Sequence, residues 1–164
     1  MVTEIKGNLF DAEKGSLLVH ACNTEGAWGA GIAATFARLY PSYYKTYEAH
    51  CHARGKNLLG TALILYGKWH RVGCLFTSSG FGKRALYQDE ILHYTRESLL
   101  DLFNQISHTE TVNMPRINSG LFRVPWEKTL SVVEEFKDKE IKIWVPETST
   151  DNSDSSRPWS RGSL

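Results

Sequence analysis

The chain has 164 residues, of which 41% are hydrophobic and 23% charged, with 19 basic and 18 acidic side chains. That length is typical of one domain whose core is large enough to fold without disulfide or metal staples. The net charge of +1 argues against a general nucleic-acid-binding protein. The amino terminus, MVTEIKGNLF, has no apolar segment of the secretory kind, and the runs LLVHAC and TALILY are too short for a bilayer. We therefore expect a soluble, monomeric protein of the cytoplasm or nucleus that has no membrane partner.

The three cysteines, Cys22, Cys51 and Cys74, are widely spaced and lie in apolar or helical surroundings. His50 and His52 flank Cys51, but adjacent residues on a helix point in different directions and cannot chelate one ion by themselves. We therefore expect buried thiols in a reducing compartment, without a metal centre.

Strand-like and helix-like segments alternate along the chain. In chain order the pattern predicts strands Val2–Lys6 and Ser16–Cys22, helices Ile32–Tyr40 and Ser42–Arg54, strands Thr61–Tyr66 and Val72–Thr77, helix Asp89–Ile106, strand Thr111–Met114, helix Pro125–Phe136 and strand Ile141–Val145. This alternation predicts an α/β sandwich with a mostly parallel sheet and one antiparallel hairpin. Serine and aspartate dominate from residue 147, so residues 1–146 are predicted to form the domain and residues 147–164 a disordered tail.

Three loops rich in small and polar residues follow the second, fourth and fifth strands. They are loop 1 (Asn23–Gly31), loop 2 (Ser78–Arg84) and loop 3 (Pro115–Val124). Ligands of parallel sheets bind outside the carboxyl ends of the strands, so we expect the functional site there.

The glycines of loop 1 allow backbone N–H groups to approach phosphate oxygens, and the following helix adds its positive end. Asn118–Gly120 in loop 3 could hold the second phosphate of a pyrophosphate. The alternative is that these glycines serve only tight turns. Gly29-x-Gly31-x-x-Ala34 also resembles a dinucleotide fingerprint, but the long turn before it and the second helix after it argue against a dehydrogenase.

Each polar candidate residue has a functional and a structural interpretation. His20 shares a strand face with Cys22 and can act on a ligand or be a satisfied core histidine. Asn23 can bind a sugar hydroxyl or stabilise a turn, and Asp89 and Glu90 can do chemistry or stabilise a helix N-terminus. Aromatic side chains that could stack on a base are Trp28, Phe81, Phe122 and Trp126.

Four segments together resemble a macro domain: KGNL, LLVHACNTEGAWGAGIA, LFTSSGFG and MPRINSGLFRVPWE. The similarity is greatest to the fungal ADP-ribose 1''-phosphate phosphatase group, and it extends from about Thr3 to Val145. It implies an α/β fold, a three-layer α/β/α sandwich around a mixed, mostly parallel six-stranded sheet. It also implies a phosphatase that releases phosphate from ADP-ribose 1''-phosphate after tRNA splicing and needs no metal or cofactor.

The resemblance further implies which residues bind ADP-ribose and its 1''-phosphate. Adenine would lie near Gly7, Asn8 and Leu9, and the distal ribose near Ala21, Cys22 and Asn23. The diphosphate would lie between Gly29, Ala30, Gly31 and Ile32 on one side and Asn118, Ser119, Gly120, Leu121 and Phe122 on the other. Asn8 stands where many macro domains have an aspartate, and its carbonyl oxygen could accept the same hydrogen bond from the adenine amino group.

The phosphatase group implies a catalytic histidine on the second strand and an aspartate in loop 2. His20 matches the histidine, while the nearest aspartate to loop 2 is Asp89. The expected catalytic residues are therefore His20 and Asp89, and Lys83 or Arg84 could neutralise charge on the phosphate.

Two other activities stay open at this point. An ADP-ribosyl ester hydrolase would need a lysine and an aspartate where this sequence has Ser78 and Phe122, although a gap could bring Lys83 to the lysine position. The other alternative is a module that binds ADP-ribose without turnover.

Overall fold

The computed structural model describes residues 1–147, so the predicted tail lies outside the described residues except for Glu147. The strands are β1 (Val2–Lys6), β2 (Leu17–Asn23), β3 (Ala62–Leu65), β4 (Arg71–Ser78), β5 (Val112–Met114) and β6 (Ile141–Val145). The helices are α1 (Gly31–Leu39), α2 (Pro41–Arg54), α3 (Gln88–Gln105) and α4 (Trp126–Val133). Every predicted strand and helix is present, with its ends moved by at most three residues.

The six strands form one sheet in the order β1-β6-β5-β2-β4-β3. β3 pairs antiparallel with β4, and the other neighbouring strands pair in parallel. The mixed, mostly parallel sheet and its hairpin are thus confirmed. β2 is buried along its whole length, which explains why LLVHACN carries neither aspartate, glutamate, lysine nor arginine.

Helices cover both faces of the sheet. On one face, a Cβ added at Gly73 would lie 3.0 Å from Val19 of β2 and 3.3 Å from Leu102 of α3, so α3 packs closely here. On the other face, the His20 ring stacks on Phe36 of α1 with the ring centroids 4.1 Å apart. The protein is therefore the expected three-layer α/β/α sandwich.

Some local features differ from the predictions. Three short 3-10 helices, Leu9–Asp11, Gly55–Leu58 and Gly82–Arg84, lie in segments predicted to be irregular. α4 ends at Val133 instead of Phe136, because the N–H groups of Glu135 and Phe136 bond three residues back and tighten the chain. In residues 1–147 no helix is long and apolar enough to cross a membrane. The three cysteines are free and buried, as predicted.

Candidate functional site

The three loops meet at the carboxyl edge of the sheet, where the sequence predicts the site. They follow β2, β4 and β5, which are neighbours in the sheet. The N–H of Thr24 donates to the carbonyl oxygen of Ser78 at 3.2 Å, which joins loop 1 to the end of β4. The N–H of Gly82 donates to the carbonyl oxygen of Leu121 at 2.9 Å, which joins loop 2 to loop 3.

A cavity of about 260 Å³ lies between these loops. Its lining residues are Asn23, Ala27, Gly29, Ala30, Phe81 and Leu121. Pockets that enclose a whole small-molecule ligand usually measure roughly 300–1,000 Å³. The cavity therefore has room for only part of a nucleotide-sized ligand.

Asn23 shapes loop 1 and also lines the cavity. Its Oδ1 accepts hydrogen bonds from the N–H groups of Glu25 at 3.0 Å and Ala27 at 3.2 Å, and its Nδ2 donates to the Ala27 carbonyl oxygen at 2.8 Å. The hydroxyl of Tyr47 donates to the Asn23 carbonyl oxygen at 2.7 Å. The turn interpretation of Asn23 is thus confirmed, and one Nδ2 hydrogen remains for a ligand.

The N-terminus of α1 opens toward the cavity. Its N-cap residue, Ala30, lines the cavity and provides no side-chain hydrogen bond to the helix. The first N–H groups of a helix lack intrahelical partners and attract anions. A Cβ added at Gly29 would meet no atom within 4 Å, so the backbone there is open to a ligand. The arrangement can bind a phosphate, as the glycines of loop 1 predicted.

Several predicted ligand-binding residues are buried. The side chains of Ala21, Cys22 and Ile32 have no solvent exposure. Phe122 is only 1% exposed, so it packs in the core and does not stack on a base. Leu121, next to it, lines the cavity. A ligand can therefore contact these buried residues only through their main-chain atoms.

Loop 3 is fixed by Asn118, which has no solvent exposure. Its Oδ1 accepts a hydrogen bond from Thr77, and its Nδ2 donates to the hydroxyls of Thr95 at 2.9 Å and Thr129 at 3.4 Å. Ser119 is exposed, and its Oγ donates to the Arg116 carbonyl oxygen at 2.7 Å. Gly120 is half-buried beside Leu121. Asn118 therefore positions the loop, while its own amide is fully engaged.

The residues expected near adenine follow β1 at the far end of the same edge. Asn8 is exposed, and its Oδ1 accepts a hydrogen bond from the N–H of Phe10 at 2.9 Å. Leu9 is 1% exposed, while Gly7 is anchored to β6 by a bond from its N–H to the Val145 carbonyl oxygen at 2.8 Å. The second lone pair of the Asn8 Oδ1 remains available to an amino group.

The structure places His20 in the core, apart from the cavity. Its side chain has no solvent exposure, and its ring lies between Phe36 and Trp28, whose centroid is 5.0 Å away. It therefore cannot touch a ligand in this arrangement, contrary to the expectation of a catalytic histidine. Beside it, burial and the neighbouring Cys74 thiol raise the pKa of Cys22 well above its usual value.

Asp89 is exposed in the first turn of α3, and the cavity-lining residues do not include it. Its neighbour Glu90 accepts a hydrogen bond from the N–H of Tyr87 at 3.2 Å. These positions fit the structural interpretation, in which acidic residues stabilise the start of a helix.

Glu25 is the acidic residue that sequence reasoning missed. Its carboxylate in loop 1 forms an ion pair with the Arg84 guanidinium in loop 2. That guanidinium lies 5.3 Å from the centre of the Phe81 ring, which lines the cavity, so the pair stands at the cavity rim. An acid in one loop and a basic pair in the next were visible in the sequence, but their contact depends on how the loops fold. Ala27 also lines the cavity and was not predicted, because an alanine has no functional group that would indicate a binding role.

Comparisons with known proteins agree with this architecture. The chain matches the family model of the Macro domain over residues 19–133. It is 39% identical over 160 residues to the ADP-ribose 1''-phosphate phosphatase of Candida albicans, a match covering 88% of this chain and 99% of that protein. It is 40% identical over 152 residues to the protein of the same name from Chaetomium globosum, covering 81% and 82%. Among solved structures, the macrodomain of Mycobacterium tuberculosis DarG has a TM-score of 0.70 at 26% identity and covers 89% of this chain and 98% of its own.

Proposed function

Because the chain belongs to the macro domain family, we propose that it hydrolyses ADP-ribose 1''-phosphate to ADP-ribose and phosphate. The two fungal relatives carry the name of that activity and align over most of their length. The observation that carries the proposal is the cavity between the three loops, which has the open N-terminus of α1 at its wall.

The position of the residues suggests how the ligand lies. The distal ribose and its phosphate occupy the cavity, and the diphosphate lies against Gly29 and the start of α1. Adenine lies near Asn8, beyond the end of β1. Three strand intervals separate β1 from β2, which at ordinary spacing is roughly 14 Å. A ligand reaching from one to the other must be extended, as a dinucleotide-like molecule is.

Glu25 and Arg84 are the groups that we assign to the chemistry. Arg84 neutralises charge on the terminal phosphate, and Glu25 accepts a proton from the water that attacks phosphorus. The new bond joins the water oxygen to phosphorus. The bond from phosphorus to the ribose oxygen breaks, and that oxygen takes up the proton that Glu25 accepted from the water. The products are inorganic phosphate and ADP-ribose. A bound phosphate competes with Glu25 for Arg84, which frees the carboxylate to act as the base.

One observation favours a second candidate, a module that binds ADP-ribose without turnover. The side chains lining the cavity carry no ionisable group, and the nearest acid, Glu25, is engaged by Arg84 at the rim. If Arg84 does not move to the ligand, the pocket binds without catalysing.

The test is an incubation with ADP-ribose 1''-phosphate in the presence of a chelator, following inorganic phosphate and ADP-ribose together. We expect equal release of both products. The melting temperature is measured in parallel with ADP-ribose, which stabilises the folded state by about 2.7 kcal/mol at a hundred times its dissociation constant. Stabilisation without product release would support the binding module. If ADP-ribose does not raise the melting temperature and no products are released, both candidates are overturned.

We further propose that the phosphatase acts in the clean-up of products of tRNA splicing, in the cytoplasm or the nucleus. We also propose that the protein acts as a monomer. Cell fractionation and size-exclusion chromatography test these two parts separately.

A further inference from the structure

Three side chains of the kind that coordinate soft metal ions lie together in the core under α1 and α2. His20 and Cys22 alternate on one face of β2, and Cys74 on β4 is the register partner of His20. The ligand atoms of these three side chains all lie within 4.8 Å of one another. The Cys22 Sγ is 3.5 Å from Nε2 and 3.7 Å from Nδ1 of His20.

The imidazole of His20 is poorly satisfied by hydrogen bonds. Within residues 1–147, the Cys22 sulfur is the only partner of its two ring nitrogens, and sulfur is a weak acceptor and donor. The rings of Phe36 and Trp28 pack against it, and its side chain has no solvent exposure. Buried imidazoles normally bond to oxygen or to water, whereas in the described part of the chain both nitrogens of this ring have only the weakly bonding sulfur of a thiol beside them.

We propose that His20, Cys22 and Cys74 bind one thiophilic divalent cation of the Zn²⁺ and Cd²⁺ class. Each thiol gives up one proton on binding, and the neutral imidazole donates one nitrogen lone pair. Two thiolates balance the double charge of the cation, so no net charge is buried, which would be costly in this apolar setting. Thiolate and imidazole are the donors that such cations prefer.

The geometry needs only a small adjustment. With metal–sulfur bonds of about 2.3 Å, ligand atoms around a three-coordinate ion lie roughly 4 Å apart. The cluster therefore has to contract by less than about an ångström. Trp28, in loop 1, lies against the His20 ring, so a cation enters when this loop opens, and we expect slow binding.

The test is a titration of the folded protein with cadmium chloride under a thiol-free reductant. Thiolate-to-metal charge-transfer absorbance reports coordination, and native mass spectrometry reports stoichiometry. We expect one Cd²⁺ per chain, a raised melting temperature and release of two protons. Cys22→Ala and Cys74→Ala should weaken binding at least tenfold. Cys51→Ala is the matched control, because Cys51 is also buried but lies outside the cluster, and it should bind as the wild type does.

A second measurement on the wild type needs no substitution. Bound Cd²⁺ should protect Cys22 and Cys74, but not Cys51, when the thiols are alkylated under conditions that open loop 1. Absence of a charge-transfer band, equal loss of binding in Cys51→Ala, or a melting temperature that falls with Cd²⁺ would each overturn the proposal. The last result would mean that the cation binds the unfolded chain.

Discussion

The hydroxyl of Thr77 donates a hydrogen bond to the Oδ1 of Asn118 at 2.9 Å and ties the end of β4 to loop 3. Asn118 has a φ of 67°, in the left-handed region that asparagine and glycine tolerate. One residue thus combines an unusual backbone conformation with a buried polar network, on which the wall of the cavity depends.

Asn118→Ala should lower the free energy of unfolding by about 2–4 kcal/mol, because it leaves buried hydroxyls unpaired and places alanine at positive φ. Asn118→Gly loses the same hydrogen bonds but not the conformational fit, and should be about 1 kcal/mol more stable than the alanine variant. Urea unfolding measures both. Equal stability of the two variants would show that the backbone conformation does not matter here.

His20→Ala separates the core position of the structure from the catalytic role that the sequence suggested. Removing a ring packed between Phe36 and Trp28 should lower the free energy of unfolding by roughly 2–4 kcal/mol. The turnover of the remaining folded molecules should change little, since the ring does not reach the cavity. Active-site titration by ADP-ribose binding corrects for the unfolded fraction. An unchanged stability with abolished turnover would restore the catalytic interpretation.

Glu25→Gln should reduce kcat about a hundredfold or more, as loss of a general base does. Glu135→Gln is the matched control, since Glu135 forms an exposed ion pair of its own with Arg96, at 2.7 Å on α3. That control should retain full turnover. Asp89→Asn decides between the two candidate acids, and a loss of turnover there instead of in Glu25→Gln would favour the assignment from sequence.

Gly29→Val should weaken ADP-ribose binding by about tenfold or more, because an overfilled pocket costs at least 1–3 kcal/mol. The free protein should melt at nearly the wild-type temperature, since an added Cβ meets no atom within 4 Å. Isothermal titration measures the affinity for ADP-ribose, and thermal unfolding measures the stability of the free protein. Undiminished affinity would mean that the ligand does not pass over Gly29.

The sequence allowed the sheet, the helices and the edge that carries the site to be predicted, because each depends on local patterns. The buried run LLVHACN and the small residues of loops 1 to 3 identified β2 and its neighbours. Contacts between distant segments were not predictable in the same way. The approach of Cys74 to His20 depends on the register of β2 against β4, and that of Glu25 to Arg84 on the conformation of two loops. The role of His20 could not be decided from the sequence. Strand alternation shows on which face of the sheet the side chain lies, but not which residues cover that face.

Alkaline pH should destabilise the protein through its buried thiols. Burial, with a smaller effect of the nearby Cys22 thiol, raises the pKa of Cys51 from 9.0 to about 12. The folded state thus holds this proton more tightly than the unfolded chain does. The resulting stabilisation is complete below pH 9 and is lost as pH rises from 9 to 12. At neutral pH, Cys51→Ala should be less stable than the wild type by an amount that does not depend on pH. Between pH 9 and 12, the free energy of unfolding of the variant should fall less steeply than that of the wild type. Urea unfolding across that range measures the slopes, and parallel curves for the two proteins would show that Cys51 does not contribute to alkaline unfolding.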